Sequence, residues 1–250
     1  MTFNPVARLA AAIAIAAILA WSIDPVSAGV ALALELALVP FLRIPWGRFW
    51  RRTALVWIAA PLSALTLLLY GEPSGRHWLD FGLIHVTDGS IVLAVTIALR
   101  VLALALPAVV LFIGVDPTAF ADGLAQLVRL PPRFVYGALG ALRLAGVFRE
   151  DYRMLELARR ARGVADRGRV RRALGVVFAM LVLSIRRGSA LATAMEARGF
   201  GAPVRRTFAR RSRFGAADWG LIAVALAIAA VGAGAALATG QWDPILGGAA

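Results

Sequence analysis

The sequence predicts an all-α, polytopic membrane protein with about five transmembrane helices and a helical block inserted between spans four and five. The chain has 250 residues, of which 60% are hydrophobic and only 16% are charged, with a mean hydropathy of +0.78. Soluble domains are typically about half apolar and about a quarter charged. The basic residues are also unevenly distributed. Residues 129–213 contain twenty arginines against five acids, a larger positive excess than the +13 of the whole chain.

Five apolar segments approach the length of a membrane span. About 20 such residues are needed, because roughly 30 Å of hydrocarbon must be crossed at about 1.5 Å per residue. The five segments are Val6–Trp21, Val26–Leu42, Thr53–Tyr70, Gly89–Ile113 and Ala217–Thr239. The first two are short and closely spaced, which predicts a tight hairpin. A secretory signal is an alternative for the start, but the span-like segment that follows favours a membrane helix.

The positions of the arginines predict the orientation of these spans. Arginines crowd the connection between spans two and three and the approach to span five. The loop Gly71–Asp88 has only Arg76 against three acids. We therefore expect the N-terminus and residues 114–214 on the cytoplasmic side, and the loop and the C-terminus outside. The predicted organisation is spans one to four in 1–113, a cytoplasmic block in 114–214, and the last span and external tail in 215–250.

The block contains three predicted helices. A short helix starts at Asp116-Pro117-Thr118 and is ended by Leu130-Pro131-Pro132. A long helix follows and ends at Gly163, where glycine provides a left-handed cap. Its apolar stripe consists of Phe134, Ala138, Ala141, Ala145, Phe148, Tyr152 and Leu155. A second long helix runs from about Val170 to Arg198.

The second long helix has two notable segments. Ala173–Ile185 is an apolar run of thirteen residues, too short to span a membrane, so we expect it to be buried against protein or at the interface. Small residues follow at helical spacing, which favours a close helix crossing. They are Gly188, Ala190, Ala192 and Ala194. Both long helices end alike, at Ala161-Arg162-Gly163 and at Ala197-Arg198-Gly199.

Two ionisable residues fall deep within the predicted spans. Glu35 is near the centre of span two and Arg100 near the centre of span four. A lone charge at that depth costs roughly 2.5–3.5 kcal/mol on insertion scales. Because the two charges are opposite, the sequence predicts an intramembrane ion pair between them.

From about Leu83 to Pro203 the chain resembles the transmembrane T component of energy-coupling factor (ECF) transporters. The similarity covers Thr87-Asp88-Gly89, the span with Arg100, and Asp116-Pro117-Thr118. It continues through Gly123-Leu124, Leu130-Pro131, Ala141-Leu142-Arg143 and Glu150. It ends with Leu157-Ala158-Arg159-Arg160-Ala161-Arg162-Gly163 and Ala194-Met195-Glu196-Ala197-Arg198-Gly199-Phe200. Two Ala-Arg-Gly motifs that end two coupling helices are the hallmark of this family.

The resemblance implies a non-enzymatic coupling subunit of an ABC importer in the cytoplasmic membrane, for vitamin or cobalt/nickel uptake. Both Ala-Arg-Gly motifs would bind cytoplasmic ATPase subunits, one each. The long helices, including Gly188, Ala190, Ala192 and Ala194, would contact a membrane-embedded substrate-binding S component. No cofactor, metal or nucleic acid is expected. A P-loop requires a lysine, and the sequence has none, so ATP hydrolysis is assigned to the partners.

Two other classes of protein fit the sequence less well. A membrane enzyme is disfavoured, because Asp122-Gly123 is only a fragment of a phosphotransferase-like motif and no Ser-His-Asp set falls in one compartment. His77, Asp80, His85 and Asp88 could ligate a metal, but a solvated external loop explains them better. A membrane-tethered protein that binds anionic lipid or nucleic acid through the basic block is the alternative function.

Overall fold

A computed structural model describes residues 3–42, 44–71, 74–81, 84–163, 168–202 and 207–242. Over these ranges the chain forms eight α-helices, a 3-10 turn at Val39–Leu42 and one two-stranded antiparallel hairpin. The helices are α1 (Pro5–Leu19), α2 (Pro25–Leu38), α3 (Trp46–Tyr70), α4 (Asp88–Phe112), α5 (Pro117–Gln126), α6 (Pro132–Ala161), α7 (Arg169–Ala197) and α8 (Ala216–Ala238). The predicted all-α membrane fold is confirmed.

The hairpin was not predicted from the sequence. It consists of β1 (His77–Phe81) and β2 (Ile84–Thr87), and its backbone pairs Asp80 with His85. The side chains of His77, Asp80 and His85 lie outside the described part of the chain. Because the hairpin has only two short strands, the fold remains essentially helical.

Several helices begin at side-chain caps that satisfy the free N–H groups of the first turn. Asn4 accepts from the Val6 N–H and precedes Pro5 at the first position of α1. The Asp24 carboxylate accepts from the Ser27 N–H at 2.5 Å and starts α2. Thr87 and Ser90 form a reciprocal capping box at the start of α4. Such caps typically contribute about 1 kcal/mol each, which fixes where these helices start.

Five described helical segments are long and apolar enough to cross a membrane: α2 with its 3-10 extension, α3, α4, α7 and α8. The number of spans agrees with the prediction, but one member differs. Helix α1 was counted as a span and has only 15 residues. Helix α7 is not among the five predicted spans. It is nevertheless long and apolar enough to be one, because small and apolar residues such as Gly188, Ala190 and Leu191 continue the helix beyond Arg186 and Arg187. By length and composition alone, α7 therefore qualifies as a span and α1 does not.

The chain divides into two compact units, which we call the bundle and the helix pair unit. The bundle contains residues 1–116 and 213–250, and the helix pair unit contains residues 117–212. In the bundle, α1 and α2 both pack against α4 and α8, while α3 packs mainly against α4. Helices α8 and α2 approach closely at Gly232, where an added Cβ would lie 2.9 Å from the Ser27 carbonyl oxygen. Small residues thus bring α8 and α2 into near-backbone contact.

The helix pair unit has a smaller core. Helices α5 and α6 pack through Ala121, Ala125, Val135 and Leu139, with Phe208 against them. Helices α6 and α7 run antiparallel, as their contacts show. Residues near the end of α6 contact residues near the start of α7. Gly140 faces Leu191, whereas Arg159, near the end of α6, contacts Gly175 near the start of α7.

Candidate partner-binding site

The end of α6 has a defined cap. The helix ends at Ala161, Arg162 follows at φ −87° and ψ 2°, and Gly163 takes the left-handed φ of +67°. The Gly163 N–H donates to the Arg160 carbonyl at 3.0 Å. A left-handed glycine satisfies terminal carbonyls without the steric cost that a Cβ would introduce. The glycine cap predicted for Gly163 is therefore confirmed.

The end of α7 repeats this conformation. Arg198 has φ −91° and ψ 13°, and Gly199 has φ +77°. The Gly199 N–H donates to the Glu196 carbonyl at 2.8 Å, and the Phe200 N–H donates to the Met195 carbonyl at 2.9 Å. The two Ala-Arg-Gly segments are thus alike in backbone geometry as well as in sequence.

The two terminal arginines are exposed. Within the part of the chain that the structure describes, neither the Arg162 nor the Arg198 side chain forms a hydrogen bond or ion pair. Since α6 and α7 are antiparallel, these two side chains lie at opposite ends of the pair. A guanidinium is planar, permanently charged and able to form two parallel hydrogen bonds with a carboxylate. The arrangement therefore presents two separate, matched guanidinium groups, each able to bind a carboxylate.

Ionic contacts hold α6 and α7 together between those ends. Arg187 bonds Asp151 at 2.6 Å, and Arg172 bonds Glu156 at 2.5 Å. The Arg159 guanidinium donates to the Gly175 carbonyl at 2.8 Å. These contacts use internal arginines of the two helices, so they leave the terminal arginines free.

Among the described residues, α6 does not approach α7 closely at Gly188, Ala190, Ala192 and Ala194, and contact of these residues with a membrane partner stays a prediction. Ala190, Ala192 and Ala194 are exposed, and an added Cβ at Gly188 would meet nothing within 4 Å. The close approach is instead at Gly140, where an added Cβ would lie 3.3 Å from Leu191 Cδ2. The small residues lie on another face of α7, because α6 approaches along the side that carries Arg172 and Arg187.

The burial expected for the apolar run of α7 is not provided by α6, and burial against another protein or at the interface stays a prediction. Within its own unit the run is largely exposed rather than buried, and Val176 is its buried member. The exposed side chains recur at helical spacing: Leu174, Val177, Phe178, Leu181 and Ile185. An exposed apolar stripe of this kind is typical of a surface that binds a protein or a membrane.

The predicted Glu35–Arg100 ion pair is wrong. Arg100 donates to the Leu19 carbonyl at the end of α1 and interacts electrostatically with Asp24. Neither carboxylate oxygen of Glu35 has a hydrogen-bond partner among the described residues. An added Cβ at Gly29 would lie 3.8 Å from Leu99 Cδ1, so Arg100 lies near the level of Gly29. Glu35 is six residues further along α2, roughly 9 Å at 1.5 Å per residue.

The sequence interpretation missed Asp24, the acid with which Arg100 interacts electrostatically. Its carboxylate is fully buried and also accepts from the Ser22 and Ser27 hydroxyls at 2.6 and 2.7 Å. A cation also suits the free carbonyls at the C-terminal end of α1. The segment Ser22-Ile23-Asp24-Pro25-Val26-Ser27 has the pattern of a helix N-cap, and that pattern could have identified Asp24.

The chain matches the model of the Cobalt transport protein family, CbiQ, over residues 1–208. The chain belongs to this family. The match includes both Ala-Arg-Gly ends and every described helix except α8. A similar protein is the "Energy-coupling factor transporter transmembrane protein EcfT" of Limosilactobacillus fermentum (strain CECT 5716 / Lc40). It is 26% identical over 184 residues, which cover 68% of each chain.

Membership of the CbiQ family makes this protein a transmembrane component of an energy-coupling factor transporter. It is a multi-pass cell-membrane protein whose family works in a transporter complex with other subunits. The apolar helices of the bundle and the exposed surfaces of the helix pair unit agree with that assignment.

Proposed function

We propose that this CbiQ family member is the coupling subunit of an ECF-type ABC importer. It links two cytoplasmic ATPase subunits to a membrane-embedded S component that binds the transported vitamin or metal ion. The observation that supports this most is the matched pair of helix ends, in which Arg162 and Arg198 share one backbone geometry and are both unpaired in the described chain.

Each Ala-Arg-Gly end is proposed to bind one ATPase subunit. The two ends lie at opposite ends of the antiparallel pair, which suits two separate copies of a similar partner. An acidic groove on each ATPase would accept the guanidinium through charge-assisted hydrogen bonds. The protein itself is proposed to be non-enzymatic, since its sequence has no lysine for a P-loop.

The S component is proposed to bind the exposed faces of α7. The apolar stripe that includes Phe178 and Leu181 provides the hydrophobic contact, and Gly188, Ala190, Ala192 and Ala194 allow a partner helix to approach closely. Helix α7 therefore lies against a partner or along the membrane surface rather than crossing it. Residues 114–214 form the cytoplasmic block of this proposal, flanked by membrane segments in 1–113 and 215–250.

The orientation follows from the arginine distribution. Arg48, Arg51 and Arg52 are exposed at the start of α3, where cytoplasmic arginines are expected. The N-terminus is accordingly cytoplasmic. The substrate site belongs to the S component, and the family description favours a metal ion such as cobalt, with a vitamin as the other class.

The decisive experiment is co-purification of the ATPase subunits with a double variant, Arg162→Glu plus Arg198→Glu. Loss of each buried, charge-assisted contact should cost on the order of 2–5 kcal/mol at its interface. The variant should therefore lose both ATPases while remaining inserted in the membrane. Its matched control is Arg153→Glu plus Arg186→Glu, which reverses two exposed arginines within the same helices.

Retention of the ATPases by the terminal double variant would contradict the proposal, and so would equal loss in the control. If nucleic acid or anionic lipid co-purifies instead and is released by salt, the protein is a membrane-tethered basic binder, because contacts with phosphates weaken steeply as salt rises.

A further inference from the structure

A cavity of about 420 Å³ lies within the bundle. Residues of α1, α2, α4 and α8 line it, together with the 3-10 turn after α2 and the first turn of α3. Ile15, Leu106 and Ile228 are among its apolar walls. This volume lies within the range of about 300–1,000 Å³ that small-molecule sites typically have.

Glu35 is the one polar side chain among the described residues that line this cavity. It is only 8% exposed, and both of its carboxylate oxygens are buried without a hydrogen-bond partner in the described chain. Glu35 lies three residues before the end of α2. A helix this apolar has no need of a carboxylate for packing, and leucine would fill the same volume at lower cost.

The cations of the bundle do not compensate Glu35. Arg100 donates to the Leu19 carbonyl and interacts electrostatically with Asp24, as described above. Arg8 donates to the Leu111 carbonyl at 3.1 Å and interacts with Asp218. An ionised carboxylate without a partner is strongly unfavourable in an apolar medium. A ligand that brings a positive charge to Glu35 would remove this cost.

We propose that the cavity binds a lipophilic amine, with its ammonium group at Glu35 and its hydrocarbon body against the apolar walls. An ammonium has three N–H donors and a positive charge, which suits two orphan carboxylate oxygens. A lipophilic alcohol offers a single neutral donor, and a fatty acid brings no positive charge that would stabilise an ionised Glu35. The geometry therefore selects amines among molecules with similar hydrocarbon bodies.

The test uses the purified full-length protein in a non-ionic detergent and native mass spectrometry. Dodecylamine is compared with 1-dodecanol, which has the same hydrocarbon chain. We expect the wild-type protein to retain one dodecylamine at concentrations at least ten-fold below those needed for dodecanol. Glu35→Gln should remove this preference, because the amide keeps the shape of the side chain and loses its charge.

Two further variants separate the site from general effects. Gly220 lines the cavity, and an added Cβ there would meet nothing within 4 Å. Gly220→Leu should therefore reduce the retention of both amine and alcohol while Glu35 stays in place. Glu150→Gln changes an exposed carboxylate of α6 and should leave retention of both molecules unchanged.

The proposal is overturned if wild-type protein retains dodecanol as well as dodecylamine, or if Glu35→Gln binds the amine normally. It is also overturned if a bilayer lipid or detergent molecule stays in the cavity of every variant regardless of Glu35. None of these outcomes depends on ATPase binding, so the test is independent of the proposed coupling role.

Discussion

In the bundle, buried polar side chains such as Asp24 form hydrogen bonds at the ends of helices. In the helix pair unit, by contrast, the ion pairs remain partly exposed to solvent. Asp24 is 1% exposed and bonds three groups at the start of α2. In the helix pair unit, the side chains of the Asp151–Arg187 bridge are 15% and 40% exposed.

The two units differ in what stabilises them and in how much apolar surface they expose. The bundle gains its stability from close helix packing and from caps that satisfy free N–H groups at the first turns of its helices. The helix pair unit has a small core and leaves the apolar stripe of α7 exposed. Regions with few buried contacts have low local stability and are typical of surfaces that move or bind partners. Substitutions should therefore cost more in the bundle than in the helix pair unit.

The largest effect is expected for Asp24→Ala. This change removes the cap of α2, the acceptor of two hydroxyl hydrogen bonds and an acid that interacts electrostatically with Arg100. It should lower the free energy of unfolding by about 3 kcal/mol. Thermal unfolding in detergent would measure it. Asp88→Asn, at an exposed acid in the first turn of α4, is the control and should cost under about 1 kcal/mol. If both variants lose the same free energy of unfolding, burial does not determine how much these two acids contribute to stability.

The next effect contrasts two glycines of α8. Gly232→Ala places a Cβ 2.9 Å from the Ser27 carbonyl oxygen and should destabilise the bundle by about 2 kcal/mol through overpacking. At Gly234 an added Cβ would meet nothing within 4 Å. Gly234→Ala should therefore be neutral or slightly stabilising, because alanine favours helix. The same unfolding measurement applies, and a stable Gly232→Ala would refute the close contact of α8 with α2.

A smaller effect is expected for the bridge between α6 and α7. A double-mutant cycle with Asp151→Ala and Arg187→Ala should give a coupling energy of about 1 kcal/mol, because solvent screens the exposed arginine. Hydrogen exchange of the α6 and α7 amides would measure it, and the coupling should fall at high salt. Glu150→Ala, at the exposed neighbour of Asp151, should show no coupling to Arg187→Ala. A coupling energy as large as the loss of stability expected for Asp24→Ala would contradict the expectation that polar contacts contribute less in the helix pair unit than in the bundle.

The smallest effect on stability is expected for Ala192→Leu. Ala192 is exposed, so the change should alter the free energy of unfolding by less than about 0.5 kcal/mol. Substrate uptake by the assembled transporter should nevertheless fall, because leucine would prevent close approach of a partner helix. If leucine at Gly188, Ala190, Ala192 and Ala194 leaves uptake unchanged in every case, the partner binds elsewhere.

Much of the fold was predictable because strong local signals coincide with real boundaries. Prolines at 5, 25, 117 and 132 mark the first residues of α1, α2, α5 and α6, since proline is tolerated there and lacks only an N–H that would be unpaired. Both Ala-Arg-Gly ends were identified for the same reason, because glycine takes the left-handed φ that ends a helix. Helix α3 started earlier than the apolar pattern suggested, because Arg48, Arg51 and Arg52 favour helix without being apolar.

The lateral contacts were less predictable. The stripe predicted on α6 includes Phe134 and Tyr152, which are exposed, whereas Val135 and Leu139 are buried. In a helix with apolar residues on several sides, periodicity does not identify which side meets a neighbour.

The sequence by itself determined the helical membrane character, the helix ends and the two matched arginines, since these depend on composition and on interactions within a few residues. The tertiary structure decided which charged groups interact. Arg100 donates to the Leu19 carbonyl at the end of α1 and interacts electrostatically with Asp24, whereas Glu35 lines an apolar cavity without a hydrogen-bond partner in the described chain. Relative height and rotation of packed helices set those outcomes, because they depend on how distant side chains fit together.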